Sequence, residues 1–192
     1  LGGLVARGLR GVQLVISDAH TGLRAGIRGA PSGVVWQRCT VHFQRNVLSR
    51  VPKAAQGYVA AAIQTIFAQS SSELAHEALH KAVQLLRPKY PAAAAIVEEA
   101  EHDVLAYMNF PEKHWRQLHS TNPLERQNRE IRRRTDVVGI FPNPASALRL
   151  VTMLLIEQND EWAVNKRYFS LESMALLKSP PPAPLPVLEV AA

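Results

Sequence analysis

Two acidic residues far apart in the chain, Asp18 and Glu125, are the side chains whose types and surroundings best suit chemistry. Asp18 follows an apolar run that predicts a buried strand, and α/β sheets tend to bind ligands at the carboxyl ends of their strands. Glu125 lies near the start of a helix predicted by the pair Asn122-Pro123, with Asn122 as its N-cap. Mg²⁺ prefers carboxylate and phosphate oxygens. The two acids together therefore indicate a divalent-metal site for phosphodiester chemistry.

The helix predicted from Asn122 carries five arginines after its glutamate. At 3.6 residues per turn, Arg129 and Arg132 fall on the same face as Glu125, beside Asn128. Such a face can hold a metal ion and bind the phosphates around it. The full set of arginines is Arg126, Arg129, Arg132, Arg133 and Arg134.

Each of these residues also has a simpler interpretation. Asn-x-x-Glu before a helix is a capping box, in which Glu125 would bond to the backbone of Asn122. Asp18 could cap the helix expected after it, from about 19 to 28. Arginine runs are more often a solvated face than a binding site. The local sequence leaves both interpretations open.

The distribution of charge favours a polyanionic partner. The 192 residues carry a net charge of +6. Residues 1–50 hold seven arginines against one acid, residues 51–110 hold four basic and six acidic residues, and residues 111–192 hold eleven and nine. Basic ends around an acidic middle indicate that the two ends build one surface facing a polyanion, while an inserted body faces water. Nucleic acid is the obvious polyanion.

Cysteine usage and hydropathy limit the class of protein. One cysteine, Cys39, excludes an intramolecular disulfide framework and fits a reducing cytosol. The longest apolar runs fall far short of the roughly 20 residues that span a bilayer, and no signal-peptide pattern is visible. We therefore expect a cytoplasmic protein without a membrane partner.

The pattern along the chain predicts a helix-dominated α/β fold. Strands are expected at 11–18 and 34–39 with a helix between them, which implies a parallel pair. No strand is expected between roughly 45 and 120. Helical periodicity, interrupted by prolines, predicts helices at 41–51, 53–69, 72–87, 91–109, 122–135 and 144–161, the last with Leu148, Val151, Leu155 and Gln158 in register.

Two histidine motifs offer other chemistry. Cys39-x-x-His42 resembles half of a zinc site, but without a second cysteine a buried thiol next to a helix-start histidine is the simpler interpretation. His76-Glu77-x-x-His80 matches zinc proteases, in which both histidines bind the ion and the glutamate acts as base. No neighbouring residue stands out as the third ligand. We interpret this match as accidental and keep a zinc metalloprotease as a distant alternative.

Four blocks of sequence carry a family resemblance. They are the runs VISDAH at 15–20, CTVHF at 39–43, STNPLERQN at 120–128 and RRRTDVVGIFPN at 132–143. In order and spacing they resemble the mutator-type transposases of bacterial insertion sequences. The likeness covers roughly residues 1–178.

The resemblance implies a partial ribonuclease-H-like core with an all-helical insertion, in which three acids bind Mg²⁺, or Mn²⁺, for DNA strand cleavage and transfer. Asp18 matches the second of these acids and Glu125 the third. Cys39 and His42 match a C-x-x-H signature that shapes the site or touches DNA, and Asn122 belongs to the signature around the glutamate. The DNA-binding residues expected are His42, Arg126, Asn128, Arg129, Arg132, Arg133 and Arg134.

The family's first aspartate lies on an earlier strand, whereas Asp18 is the first acid of this sequence. Because the chain begins at Leu1, we expect either a piece of a longer enzyme or a decayed, non-catalytic DNA-binding remnant. In either case it would act on element ends and target DNA near the nucleoid, as a homo-oligomer. The domains expected are 1–50 and 111–177 for the core, 51–110 for the insertion and 178–192 for a disordered proline-rich tail.

Overall fold

The structure, a computed structural model, describes residues 2–28, 34–164 and 169–177. Helices dominate these ranges, as the sequence predicts, and a two-stranded sheet accompanies them. None of the helices in these ranges is both long and apolar enough to cross a membrane. The tail predicted at 178–192 lies outside the described residues.

A parallel pair of strands lies near the amino end. Strand β1 (Leu14–Ser17) pairs with β2 (Val35–Arg38), and helix α2 (Thr21–Arg28) connects the two strands. A short helix, α1 (Gly2–Ala6), precedes β1. This confirms the predicted strand–helix–strand unit, although both strands are shorter than the apolar runs. Every position of the two strands is partly exposed except Gln37, which is buried.

Five helices enclose the hydrophobic core, which runs from Phe43 to Met108. Their apolar residues recur every three or four positions, so each helix turns one face inward. In the third of them, Leu79 and Leu86 are fully buried, and Ser71 caps the helix by accepting a bond from the Leu74 N–H at 3.3 Å. The helices are α3 (Thr40–Leu48), α4 (Lys53–Phe67), α5 (Ser72–Leu86), α6 (Pro91–Glu99) and α7 (Glu101–Leu105).

The segment 91–109, predicted as one helix, is broken. A kink at Ala100 separates α6 from α7, and a 3₁₀ turn follows α7. The break brings backbone groups to the side chain of Gln37, whose Oε1 accepts from Tyr107 N at 2.7 Å and whose Nε2 donates to Val104 O at 2.9 Å. These bonds join the sheet to the helical body. Periodicity could not reveal the break, because the break depends on contact with β2.

Three longer helices and a short one complete the described chain. They are α8 (Glu112–Leu118), α9 (Asn122–Val138), α10 (Pro144–Val164) and α11 (Leu171–Ala175). Helix α9 extends three residues beyond its predicted end and stops at Gly139, whose φ of 73° is a conformation that glycine adopts without strain.

The stripe predicted for α10 does not face the core. Leu148 and Leu155 are 67% and 47% exposed, whereas Leu154 is buried. Helix α10 packs mainly on α9, and that narrow contact selects a different residue from the one that periodicity favours.

Candidate functional site

The carboxyl ends of both strands and the start of α9 meet at one edge of the sheet. Asp18 directly follows β1, and Cys39 directly follows β2. The N–H of Cys39 donates to Ser17 O at 2.9 Å, which continues the ladder between the strands. The N–H of Thr40 donates to His119 O at 3.0 Å and so brings the segment before α9 to the same edge. Parallel strands present ligand-binding side chains at this edge.

His42, one turn into α3, lies between the two acids predicted to be catalytic. Its Nδ1 is 2.6 Å from Asp18 Oδ1, and its Nε2 is 3.3 Å from Glu125 Oε1. The Asp18 side chain is 52% exposed and that of Glu125 is 35% exposed. The structure thus brings the two acids to opposite nitrogens of one imidazole, at a place that solvent can reach.

The contact between Asp18 and His42 is close, but it is not a hydrogen bond. His42 Nδ1 is buried, and no hydrogen-bond partner is aligned with it among the described residues. The distance of 2.6 Å between His42 Nδ1 and Asp18 Oδ1 is within the range of an ion pair, which requires a protonated imidazole, but the two groups are not aligned as a hydrogen bond. Nδ1 is therefore close to the carboxylate without an aligned partner.

Thr121, which sequence reasoning did not single out, connects Glu125 to Cys39. Its Oγ1 lies 3.0 Å from Glu125 Oε1 and 3.3 Å from Cys39 Sγ, and its backbone N–H donates to the same sulfur at 3.4 Å. Cys39 has no exposed surface. Because a hydroxyl has one proton, Oγ1 donates to one of the two acceptors at a time. The only sequence signal for Thr121 was its place in the block at 120–128.

The simpler interpretations of the two acids are not what the structure shows. Helix α9 begins at Asn122 itself, with Thr121 at the N-cap position and no side-chain cap bond, so the predicted Asn122 cap is wrong. Glu125 bonds to the Thr121 hydroxyl, and no capping box is recorded. Helix α2 begins at Thr21 and its Gly22 N–H donates to the side chain of His20, so Asp18 lies outside the cap position.

Helix α9 presents its arginines to solvent. Glu130 accepts hydrogen bonds from Arg133 at 2.7 and 2.9 Å and from Arg134 at 2.9 Å. These bonds lower the pKa of Glu130 to about 2, and the bonds to Glu130 raise the pKa of Arg133. In the described chain no ion pair joins Glu125 to an arginine of α9. Glu125 and the arginines predicted to share its helix face therefore do not form salt bridges with one another. The exposed polar residues of this helix include Arg126, Asn128, Arg129, Arg132, Arg133 and Arg134.

A polar cleft of about 630 Å³ lies beside the start of α9. Asn122 and Arg126 line it from α9, Arg116 from α8, and Glu161 and Trp162 from α10. Arginine and aromatic side chains together suit the phosphates and bases of a nucleic-acid strand. Arg126 and Asn122 thus belong to a concave surface as well as to the helix.

His76 and His80 contact a single carboxylate oxygen. His76 Nδ1 and His80 Nε2 lie 2.6 and 3.1 Å from Glu101 Oε1. Burial raises the pKa of Glu101, but the hydrogen bonds from the two histidines outweigh it, and the pKa lies below its usual value. Glu77, the base that a protease would need, instead pairs with Lys81 at 3.7 Å on an exposed surface. The motif joins α5 to α7, which agrees with interpreting the protease match as accidental.

Asp18, Cys39 and His42 form the cluster of possible metal ligands in the part of the chain that the structure describes. One donor atom from each, an oxygen, a sulfur and a nitrogen, lies within 4.8 Å of the others. From the sequence, Cys39-x-x-His42 was only a weak zinc pair, because the third donor, Asp18, follows a different strand and only the fold brings it close. Glu125 approaches this cluster through His42.

Comparisons with known proteins agree with the sequence resemblance. A profile of the family described as "Transposase, Mutator family" matches residues 1–165. The transposase for insertion sequence element IS1081 of Mycobacterium tuberculosis is 46% identical over 169 residues, which are 88% of this chain and 41% of that protein. The transposase for IS406 of Burkholderia multivorans is 44% identical over 168 residues, 87% of this chain and 43% of that protein. The transposase for IS256 in transposon Tn4001 of Staphylococcus aureus is 40% identical over 168 residues, 86% and 43%.

The chain spans about two-fifths of the length of these curated relatives. The matched region 1–165 contains both strands, the helical body and all of α9. It therefore includes every residue of the site at the edge of the sheet. The chain belongs to the Mutator family of transposases.

Proposed function

We propose that this chain is part of an insertion-sequence transposase that cleaves and joins DNA strands with Mg²⁺ or Mn²⁺ held by Asp18 and Glu125. The observation that carries the proposal is the imidazole of His42, which touches both carboxylates. Two acids from distant segments meet where parallel strands end, and a helix rich in arginine starts at the same place. Relatives that share this region are named as transposases for insertion sequences.

The donor chemistry fits a hard divalent cation. Mg²⁺ prefers carboxylate oxygens and keeps several waters, and both carboxylates are partly exposed to water. When bound, such a cation lowers the pKa of an attacking water or hydroxyl and stabilises the leaving oxygen of an in-line displacement. Asp18 and Glu125 would hold the cation, while His42 and the Thr121 hydroxyl keep the two acids in position.

The exposed basic residues would hold DNA. Strand cleavage adds water across a phosphodiester and leaves a 3′-hydroxyl and a 5′-phosphate. In strand transfer that 3′-hydroxyl attacks a phosphodiester of the target strand, forms a new phosphodiester and displaces the 3′-oxygen of the target strand. Both reactions need the backbone fixed beside the acids. Arg129 and Arg132 are free of ion pairs in the described chain and can neutralise phosphates with little preference for sequence. Asn128, on the same exposed side, would orient a phosphate.

We further infer that β1 and β2 belong to a ribonuclease-H-like core of which α4 to α7 are the helical insertion. Two partly exposed strands are too few to form an independent sheet, and their connection is of the parallel type that such cores use. Asp18 is the only acid before Glu73, so this sequence supplies two of the three acids that the resemblance implies. The working assembly would be a homo-oligomer on element ends and target DNA, near the nucleoid.

The test is a nicking assay on element-end DNA, with the protein expressed together with any in-frame coding sequence that precedes Leu1. Asp18→Asn and Glu125→Gln are each expected to reduce Mg²⁺-dependent nicking by at least about 100-fold, since each removes a carboxylate that would hold the cation, and the cation stabilises the charge on the reacting phosphate. Asp136→Asn is the matched control, because Asp136 is an exposed acid of the same helix. Nicking that persists in both site variants would remove the catalytic assignment.

A non-catalytic DNA-binding remnant is the second candidate, and the exposed arginines of α9 favour it. Such a remnant would bind DNA with strong salt dependence, and Asp18→Asn and Glu125→Gln would leave binding intact. Absence of nicking in the wild-type protein, with binding retained, would select this candidate over the enzyme.

A further inference from the structure

We propose that Asp18, Cys39 and His42 bind a thiophilic divalent cation, Zn²⁺ foremost, through a ligand set that differs from the proposed Mg²⁺ pair. One donor atom from each residue lies within 4.8 Å of the other two. Thiolate and imidazole are ligands that select Zn²⁺, whereas Mg²⁺ takes oxygen ligands. The proposed Mg²⁺ ligand Glu125 is not part of this set.

The backbone fixes the positions of the three donors. Cys39 directly follows β2 and His42 lies in the first turn of α3, so the C-x-x-H spacing places both at the same end of the helix. Asp18 directly follows the neighbouring strand β1. The Cys39 sulfur is fully buried and receives donors from the Thr121 N–H and hydroxyl at 3.4 and 3.3 Å. Polar partners of this kind orient a metal ligand.

The imidazole of His42 carries the strongest indication. Its Nδ1 is buried without an aligned hydrogen-bond partner among the described residues, while its Nε2 faces Glu125 Oε1 at 3.3 Å. Histidines that bind metals usually donate their other ring N–H to a carboxylate or a carbonyl. The open Nδ1 is therefore the ligand atom that we assign, and Glu125 lies near the other ring nitrogen. A bound cation supplies the partner that Nδ1 lacks.

The rearrangement required is small. Two ligands at about 2.0–2.1 Å from a tetrahedral ion lie roughly 3.3 Å apart, whereas Asp18 Oδ1 and His42 Nδ1 are 2.6 Å apart. The carboxylate must therefore withdraw by roughly 0.7 Å, and its exposure of 52% leaves it free to do so. Three protein ligands leave a fourth position for water, as in zinc sites that are not purely structural.

Binding of Zn²⁺ would withdraw Asp18 from the Mg²⁺ pair and inhibit strand cleavage. This consequence rests on the proposed function, whereas the binding itself does not. The two claims can be separated because Asp18 belongs to both ligand sets and Glu125 to one.

Co²⁺ is the probe, since Zn²⁺ has no d–d spectrum. The purified protein is expected to bind one Co²⁺ with a thiolate-to-cobalt charge-transfer absorption that stoichiometric Zn²⁺ removes. Cys39→Ser is expected to abolish that absorption and to weaken Zn²⁺ binding by at least about 100-fold, the upper end of what the loss of a ligand's own partner costs. His80→Ala is the matched control and should keep the absorption.

Three results would overturn the proposal: no charge-transfer absorption in the wild-type protein, an absorption that persists in Cys39→Ser, or its loss in His80→Ala. Circular dichroism checks that each variant is folded. If Cys39→Ser does not fold, His42→Gln, which removes another of the three ligands, takes its place in the test. Glu125→Gln should keep the cobalt absorption while losing nicking. The two proposals therefore fail separately: absence of the cobalt absorption in the wild-type protein refutes the zinc site, whereas nicking that survives Glu125→Gln refutes the catalytic assignment.

Discussion

Replacing Gln37 with methionine should lower the thermal stability of the protein, because this side chain joins the sheet to the helical body. Gln37 is fully buried, and its amide oxygen accepts from Tyr107 N at 2.7 Å. Its amide nitrogen donates to Val104 O at 2.9 Å and to Arg38 O at 2.7 Å. Methionine has a similar volume and none of these bonds, so the change removes hydrogen bonding with little change in packing.

The size of the effect follows from the groups left behind. The buried Tyr107 N–H loses its partner, at a cost of about 1–3 kcal/mol, and Val104 O loses a bond of about 0.5–1.5 kcal/mol net. The total is about 1.5–4.5 kcal/mol. For a chain of about 190 residues each kcal/mol shifts Tm by roughly 2–4 °C. Gln37→Met should therefore lower Tm by about 3–18 °C.

Differential scanning calorimetry measures this shift directly. Gln64→Met is the matched control, because Gln64 lies exposed on α4 and its replacement should change stability by no more than about 0.5 kcal/mol. Equal Tm values for Gln37→Met and Gln64→Met would refute the reasoning, since they would mean that the bonds to Val104 and Tyr107 contribute nothing to folding.

Three further predictions concern ionisation and DNA binding. The pKa of Glu101 lies below 4.5 despite burial, because its two histidine partners bond to the ionised form. Glu101→Gln should therefore lower the free energy of unfolding by about 1–3 kcal/mol at pH 7. In urea unfolding, this difference in free energy between the variant and the wild type should vanish as the pH falls below 4.5 through the folded-state pKa. Burial raises the pKa of Tyr107 from 10.0 to about 12, so the contribution of the neutral phenol to folding stability is complete below pH 10 and lost as the pH rises towards 12. Tyr107→Phe should therefore flatten the fall in Tm over that range. An equally steep fall in the variant would contradict the raised pKa of Tyr107. Arg132→Ala should reduce the slope of the logarithm of the DNA-binding constant against log salt by about 0.9 for duplex DNA. Glu130→Gln, which frees two arginines, should make that slope steeper. Fluorescence anisotropy measures the slope, and the absence of both changes would exclude α9 as the DNA-binding face.

The predicted strands and the two predicted acids were accessible from the sequence for different reasons. β1 is an apolar run rich in β-branched residues, β2 begins with Val35 and Trp36, and a strand–helix–strand order implies a parallel pair. Asp18 directly follows β1, and Glu125 lies in the first turn of the arginine-rich α9. The family resemblance linked the two acids, and the structure places both on His42.

The contacts around the acids were less accessible, because they join segments that are distant in sequence. Thr121 meets Cys39 across 82 residues, and Gln37 meets Tyr107 across 70. Local patterns carry no information about such pairs. The predicted Asn122 cap failed for the same reason, since Thr121 takes the cap position while its hydroxyl is engaged by Cys39 and Glu125.

Apolar periodicity identified the buried face of a helix in α5, which lies in the hydrophobic core, but not in α10, which lies outside it. In α5 the buried face follows the apolar periodicity, and Leu79 and Leu86 lie in the core. In α10 the periodic stripe is exposed at Leu148 and Leu155, because the helix has one neighbour rather than a core to enter. Periodicity therefore locates a helix more reliably than it locates the contact that the helix makes.

The contact between Cys39 and Thr121 spans 82 residues and has a consequence for protein synthesis. A ribosome that adds about 5–20 residues per second needs about 4–16 s to translate the stretch between them. Throughout that interval the growing chain has its aspartate and histidine but lacks its glutamate. The site at the edge of the sheet is thus incomplete in the nascent polypeptide until the helical body has been made and α9 follows it out of the exit tunnel.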